Sequence, residues 1–230
     1  MTPKAQQEIE NADVVVGYKT YVALVQNLIK STAEVVSGTM GREVDRAKIA
    51  VTKALENKNV VVVSSGDPGV YGMAGLVLEV AAAEEAPVPV EIVPGVTAAT
   101  AAASKLGAPL VSDFAVISLS DLLTPWGLIE KRLRAAAEAD FSIVLYNPQS
   151  EGRKEPLIKA YEILLKHRSS STPVGVVRQA GRHGEQSVIT TLDRLLDCEI
   201  DMVTTIIVGN SKTKVLGGRM VSPRGYNLSC

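Results

Sequence analysis

The stretch Asn59 to Gly75, NVVVVSSGDPGVYGMAG, sets the tightest limit on what this 230-residue chain can fold into. Val60 to Val63 is an unbroken β-branched run, short enough for a strand buried on both faces, and it stops abruptly at Ser64-Ser65-Gly66-Asp67-Pro68-Gly69. The chain therefore leaves a sheet at its carboxyl edge through a tight polar loop. Gly66 and Gly69 allow geometry or close approach that a Cβ would block, Pro68 fixes its own φ, and Asp67 adds a carboxylate at the mouth. From Tyr71, YGMAGLVLEVAAAEE predicts a helix running through Glu85. Strand, glycine loop and helix in this order is where open α/β sheets bind small ligands, although an ordinary βα turn has the same pattern.

The rest of the chain repeats the alternation. Thr2-Pro3 reads as a helix cap followed by proline at the first helical position, so PKAQQEIENA predicts a short helix before a strand at Asp13 to Gly17. Lys19 to Ile29 and Arg42 to Glu56 read as helices, separated by a short strand or extended connection at Val35 to Met40. Pro89 to Val93 reads as a strand running into Pro94-Gly95-Val96-Thr97, and TAATAAASKLG as a small-residue helix able to pack closely on a sheet or a cofactor. Phe114 to Leu119 is a further strand. Ser120 to Pro125 marks a boundary, giving two α/β domains over 1–119 and 120–230. The second contains a helix ending at Glu138, a strand at Ser142 to Tyr146, a helix at Glu155 to His167 and strands at Val174 to Arg178 and Val203 to Val208. A short extended segment and a helix near Leu192 to Leu196 lie between the last two. Loops gathered at strand ends in both halves predict a ligand in a cleft between them.

Composition removes several classes. A hydrophobic share of 46% supports a substantial core, and a formal net charge of −1 provides no electrostatic footprint for nucleic acid or an anionic membrane. No apolar run reaches membrane-spanning length and no signal-peptide core follows Met1, so a soluble cytoplasmic protein is expected. Cys198 and Cys230 lie far apart without CxxC spacing, which argues against a metal site and suits a reducing compartment. The chain has no GxxxxGK[ST] loop, no GxGxxG opening a helix and no GxSxG elbow. His167, between Lys166 and Arg168, suits a helix end, whereas His183 shares a loop with Arg178 and Arg182 that suits either anion contact or simple exposure. What remains is a set of small-residue loops at Gly66-Asp67-Pro68, Pro94 to Ala98, Tyr146-Asn147-Pro148 and Arg178 to Gly181. Such loops suit a polar cofactor whose own reactive group carries the chemistry while the protein supplies position and electrostatics.

Taken in order, ADVVVGYKTY, GDPGVYGMA, PGVTAATAAAS, SLSDLLTPW, VLYNPQS, VVRQAGRHGE, TTIIVGNS and MVSPRGY resemble the tetrapyrrole methylase family over nearly the whole chain. The branch they most resemble acts at C17 of precorrin-3B or cobalt-factor III. The resemblance implies two α/β domains with S-adenosylmethionine in the cleft between them, usually in a homodimer. It implies cofactor contacts at Ser65, Gly66, Asp67 and Val70, a second contact segment at Thr97 and Ala98, and further contacts at Asn147, Ala180 and Thr205. The implied reaction is displacement at the sulfonium methyl by C17 of a reduced tetrapyrrole, coupled to ring contraction in cobalamin synthesis. A methyltransferase acting elsewhere on the ring, such as at C11, and a non-catalytic binding homologue are the alternatives.

An activated donor and an enamine-like carbon need alignment more than a strong base. The substrate's carboxylates would be met by Lys19, Arg42, Arg178 and Arg182, while Arg46 is expected in a surface salt bridge. Tyr18 stands where uroporphyrinogen-methylating relatives carry an acid, which argues against that substrate and makes Tyr18 the candidate to donate a hydrogen bond or proton. The family pattern opens with a strand and a GxGPG loop, neither of which this chain contains before Met1-Thr2-Pro3-Lys4-Ala5. A shortened start, with a gap or exposed edge in the first sheet and one wall of the cleft removed, is therefore expected.

Overall fold

The computed structural model describes residues 1–39, 41–84 and 87–227. It divides into two compact units, Met1–Thr97 and Ala98 onward, each with its own sheet.

In the first unit, helix α1 (Pro3–Asn11) begins as its sequence predicts, with Thr2 Oγ1 accepting the Ala5 amide at 3.3 Å and proline in the first turn. Strand β1 (Val14–Tyr18) is the centre of a parallel sheet, with β2 (Glu34–Gly38) on one side and β3 (Val60–Val63) on the other. The alternation of a strand sends Val15 into a cluster with Ile9, Ala12, Val25 and Val63, and sends Val14 and Val16 against Ala50 of helix α3 (Glu43–Leu55). Ala47 and Val51 of α3 pack on Val80 and Ala81 of helix α4 (Ala74–Ala83). Gly17 is required by packing, because a Cβ there would lie 2.8 Å from Val22 Cγ2 in helix α2 (Lys19–Ala23).

Four sequence expectations change in this unit. The helix expected over Lys19 to Ile29 is α2 followed by a separate 3-10 turn at Gln26–Leu28. β3 is only half-buried along Val60 to Val62, because it ladders with β1 alone and no other strand pairs with it among the described residues. Pro89 to Val93 forms no strand, and Val90 and Ile92 are exposed. Its β-branched residues favour extended backbone, but a strand needs a neighbour to ladder with. Finally, α4 starts at Ala74 instead of Tyr71, whose φ of 53° is incompatible with a right-handed helix. The expected endpoints at Met40 and Glu85 lie outside the described residues.

The second unit opens with helix α5 (Ala98–Leu106). Its main sheet runs β5 (Phe114–Ser118), β6 (Ser142–Tyr146), β9 (Thr204–Val208), β7 (Pro173–Arg178), β8 (Gln186–Thr191), with β5 and β6 parallel and the other pairs antiparallel. Helices α6 (Trp126–Glu138) and α7 (Glu155–Leu165) cover one face, placing Ile129, Leu133 and Leu164 in a core with Ile143, Leu145, Val174, Val176 and Ile206. Gly175 points to the opposite face, where its missing Cβ makes room for Leu106 of α5, whose Cδ1 would lie 2.1 Å from such an atom. A small second sheet joins β4 (Gly107–Ala108) to the hairpin of β10 (Lys214–Leu216) and β11 (Arg219–Val221).

The boundary therefore falls at Thr97, earlier than the expected 1–119 and 120–230 division. Ser120 to Pro125 lies within the second unit because β5, preceding it, and β6, following it, are paired from Phe114–Ser142 to Ser118–Tyr146.

Candidate functional site

In the first unit the loop after β3 is stitched to the one after residue 93 by a single carboxylate. Asp67 Oδ1 accepts the Gly69 amide at 2.8 Å, and its Oδ2 accepts the Gly95 amide at 2.9 Å. The loops touch so closely that a Cβ on Gly95 would sit 2.0 Å from the Gly66 carbonyl oxygen. Ser64 Oγ accepts the Met73 amide at 3.4 Å and the Pro68 carbonyl accepts the Ala74 amide at 3.0 Å, closing the loop onto the start of α4. Ser65, Gly66, Asp67 and Val70 are thus fixed beside the segment leading to Thr97. Asp67 is a clasp between two backbones, not the open charge at the mouth that its sequence position suggests.

The second unit collects its predicted contacts at one sheet edge, where β5, β6 and β7 end and β9 begins. The Ala99 amide, next to Ala98, donates to Tyr146 Oη at 2.6 Å and anchors the start of α5 to the end of β6. Asn147 follows at once, its Nδ2 donating to Ser118 Oγ at 2.9 Å and its carbonyl accepting from Arg153 Nη2 at 3.0 Å. Thr205 is buried opposite Val177, and Ala180 is half-buried two residues beyond β7.

Backbone conformation identifies the same loops. Among the described residues five non-glycines have positive φ: Asn57, Tyr71, Asp140, Asn147 and Gln179. Asn57 and Asp140 directly follow the caps of α3 and α6, an ordinary place for a left-handed residue. Asn147 and Gln179 lie in two of the predicted ligand loops, Tyr71 lies just past a third, where a helix is expected, and such outliers persist only where surrounding structure holds them. Reading the residues alone missed Tyr71. The aromatic between Val70 and Gly72 in a glycine loop was its only signal.

The predicted substrate residues differ in their engagement. Arg178 Nε meets Asp201 Oδ2 at 2.6 Å and its Nη1 meets Glu199 Oε1 at 2.7 Å, so two acids of its own chain already occupy the guanidinium. Asp201, first of these, raises the Arg178 pKa above its ordinary value. Burial pushes the Asp201 carboxyl up, but hydrogen bonds from Thr204, Arg178 and the Val203 amide outweigh it and hold the pKa below the usual range. Arg42 pairs with Asp45 at 3.0 Å, and Lys19 is exposed with no ion pair among the described residues. Arg182 is half-buried in the loop where its amide donates to the Gln179 carbonyl at 2.9 Å. Arg46 is a correction: it is buried, donating to the Thr39 carbonyl at 2.6 Å and to Glu43 at 3.0 Å, because α3 turns it inward to close the chain end of β2. Tyr18 is half-buried at the end of β1, its ring edge-on to Tyr21 with centroids 5.2 Å apart.

His167 and His183 are both exposed. Burial, aided by Asp197 and opposed by Arg194, raises the Cys198 thiol pKa, and Cys230 lies outside the described residues. Among the described residues no cluster of His, Cys, Asp and Glu suits a metal, and no helix is long and apolar enough to cross a membrane. A cavity of about 640 Å³ in the second unit, lined by Lys105, Val188, Thr190, Arg194 and Val215, contains none of the predicted contacts. Each loop set offers backbone groups and small side chains, with Gly66 exposed and Ser65 and Val70 half-exposed in the first unit and Ala180 half-exposed in the second.

Residues 1–196 match the family described as Tetrapyrrole (Corrin/Porphyrin) Methylases. The chain is 49% identical over 228 residues to the probable cobalt-factor III C(17)-methyltransferase of Salmonella typhimurium, covering 99% of this chain and 94% of that relative. Against the precorrin-3B C(17)-methyltransferase of a Sinorhizobium species, identity is 41% over 219 residues, covering 94% and 85%. The crystal structure of the methyltransferase CobJ matches with a TM-score of 0.90 at 36% identity, covering 97% of this chain and 93% of that one.

Proposed function

The chain belongs to the tetrapyrrole methylase family, and from that premise we propose that it methylates C17 of a corrin precursor, precorrin-3B or cobalt-factor III, during cobalamin synthesis. The observation that carries this reading is 49% identity over 99% of the chain to a relative of that name. Tetrapyrrole methylases draw the methyl group from S-adenosylmethionine, which supplies it already activated as a sulfonium.

The protein's task is then alignment. Ser65, Gly66 and Val70 form one wall for the donor, with Asp67 holding that wall to the Gly95 to Thr97 segment. Ala98, Asn147, Ala180 and Thr205 supply the second contact set, organised by Tyr146 and Ser118. Lys19, Arg42 and Arg182 meet substrate carboxylates, and Arg178 orders the loop through Asp201 and Glu199. Tyr18 donates a hydrogen bond or proton at the reacting face. The active form is a cytoplasmic homodimer.

Incubation of the 230-residue chain with cobalt-factor III and S-adenosylmethionine tests the proposal. One methyl group added at C17, located by NMR of the product, supports it. Methylation at C11 would reassign the position, and no product from a chain that binds both ligands would sink the catalytic reading. Sedimentation reports the dimer.

A further inference from the structure

We infer that Tyr71 is a binding residue for the tetrapyrrole ring, its side chain offered to the flat face of the macrocycle; this rests on the methylation reading above. Tyr71 has a φ of 53° and is 59% exposed. For a bulky aromatic residue that backbone region is an outlier, and no helix cap accounts for it, unlike Asn57 and Asp140.

The surroundings leave the loop little room to relax. A Cβ on Gly72, the next residue, would lie 2.6 Å from the Pro68 carbonyl oxygen and 2.7 Å from Ser64 Oγ, so the chain just after Tyr71 is pressed against the loop base. The Val70 amide donates to the Asp67 carbonyl at 3.1 Å on the other side. Tyr71 is thus gripped from both directions in a conformation its own side chain disfavours. Folding alone would be served better at this position by glycine or asparagine.

The chemistry of the ring points to the larger ligand. Residues 65 to 70 offer a small polar cofactor backbone groups and small side chains. A tetrapyrrole presents a wide apolar face with carboxylates at its rim, and an exposed aromatic supplies the matching area at low conformational cost. The segment clasped to this loop by Asp67 adds a second exposed apolar side chain, Val96.

The test compares Tyr71→Asn and Tyr71→Phe with the parent chain by thermal unfolding and by titration with S-adenosylhomocysteine and with cobalt-factor III. Asparagine tolerates positive φ, so Tyr71→Asn raises Tm by roughly 2–4 °C. It also weakens cobalt-factor III binding about tenfold while S-adenosylhomocysteine affinity stays within twofold, and Tyr71→Phe retains parental affinity for both. Cobalt-factor III affinity unchanged in Tyr71→Asn overturns the inference, as does an equal loss for both ligands. A parent chain that binds S-adenosylhomocysteine but no cobalt-factor III overturns the proposed substrate, and this inference with it.

Discussion

Asp67 Oδ2 accepts the amide of Gly95 at 2.9 Å across 28 positions of sequence, while the same carboxylate's other oxygen accepts the amide of Gly69. One side chain therefore sets the spacing of two loops. Asp67→Ala should orphan the part-buried Gly95 amide and cost about 1–3 kcal/mol. S-adenosylhomocysteine affinity should fall at least tenfold by calorimetry. Asp67→Asn keeps one acceptor oxygen and turns a donor toward the second amide, so it should recover little of the loss.

Gly95 itself leaves no space for a side chain. With a Cβ placed 2.0 Å from a backbone oxygen, Gly95→Ala must part the loops, at a cost of roughly 1–3 kcal/mol or more. The expected result is a lower Tm together with lost S-adenosylhomocysteine binding. Gly127→Ala, where nothing lies within 4 Å of the added atom, serves as the control and, lying on α6, should lower neither.

Tyr146 holds the first turn of α5 through its hydroxyl, at 2.6 Å from the buried Ala99 amide. Tyr146→Phe preserves the ring and removes that acceptor, leaving an unsatisfied donor worth about 1–3 kcal/mol. Denaturant unfolding should show the loss, and exchange of the α5 amides should accelerate.

Acid should loosen the second unit through Asp201. Its carboxyl pKa is held below the ordinary value, so its contribution to stability is complete above the unfolded pKa of about 4 and is lost as pH falls through the folded one. Thermal melts from pH 7 to pH 3 should show the decline below about pH 4, less steeply in Asp201→Asn. An identical profile in the variant would remove Asp201 as a source.

Much of the fold was legible because its signals are local. Thr2-Pro3 marked the start of α1, the Ser142 to Tyr146 strand was read to the residue, and alanines identified α5. Pro89 to Val93 failed because extended propensity says nothing about which strand lies alongside. The candidate site divided in the same way. Glycine and small residues revealed where the loops were, but the role of Asp67 depends on an amide 28 residues away and that of Arg178 on acids 21 and 23 residues away. Sequence spacing does not show such pairings. Tyr71 escaped notice because its strain is a property of φ, not of residue type.

Among the described residues Val60 to Val63 form one margin of the first sheet, β2 forming the other, and none of the four has a charge that would deter another chain. Concentrated solutions of this polypeptide should therefore carry a seam along which molecules can zip together, the reverse of the lysine-guarded margins that keep sheet proteins apart. Light scattering that rises with protein concentration is the expected signature of that seam.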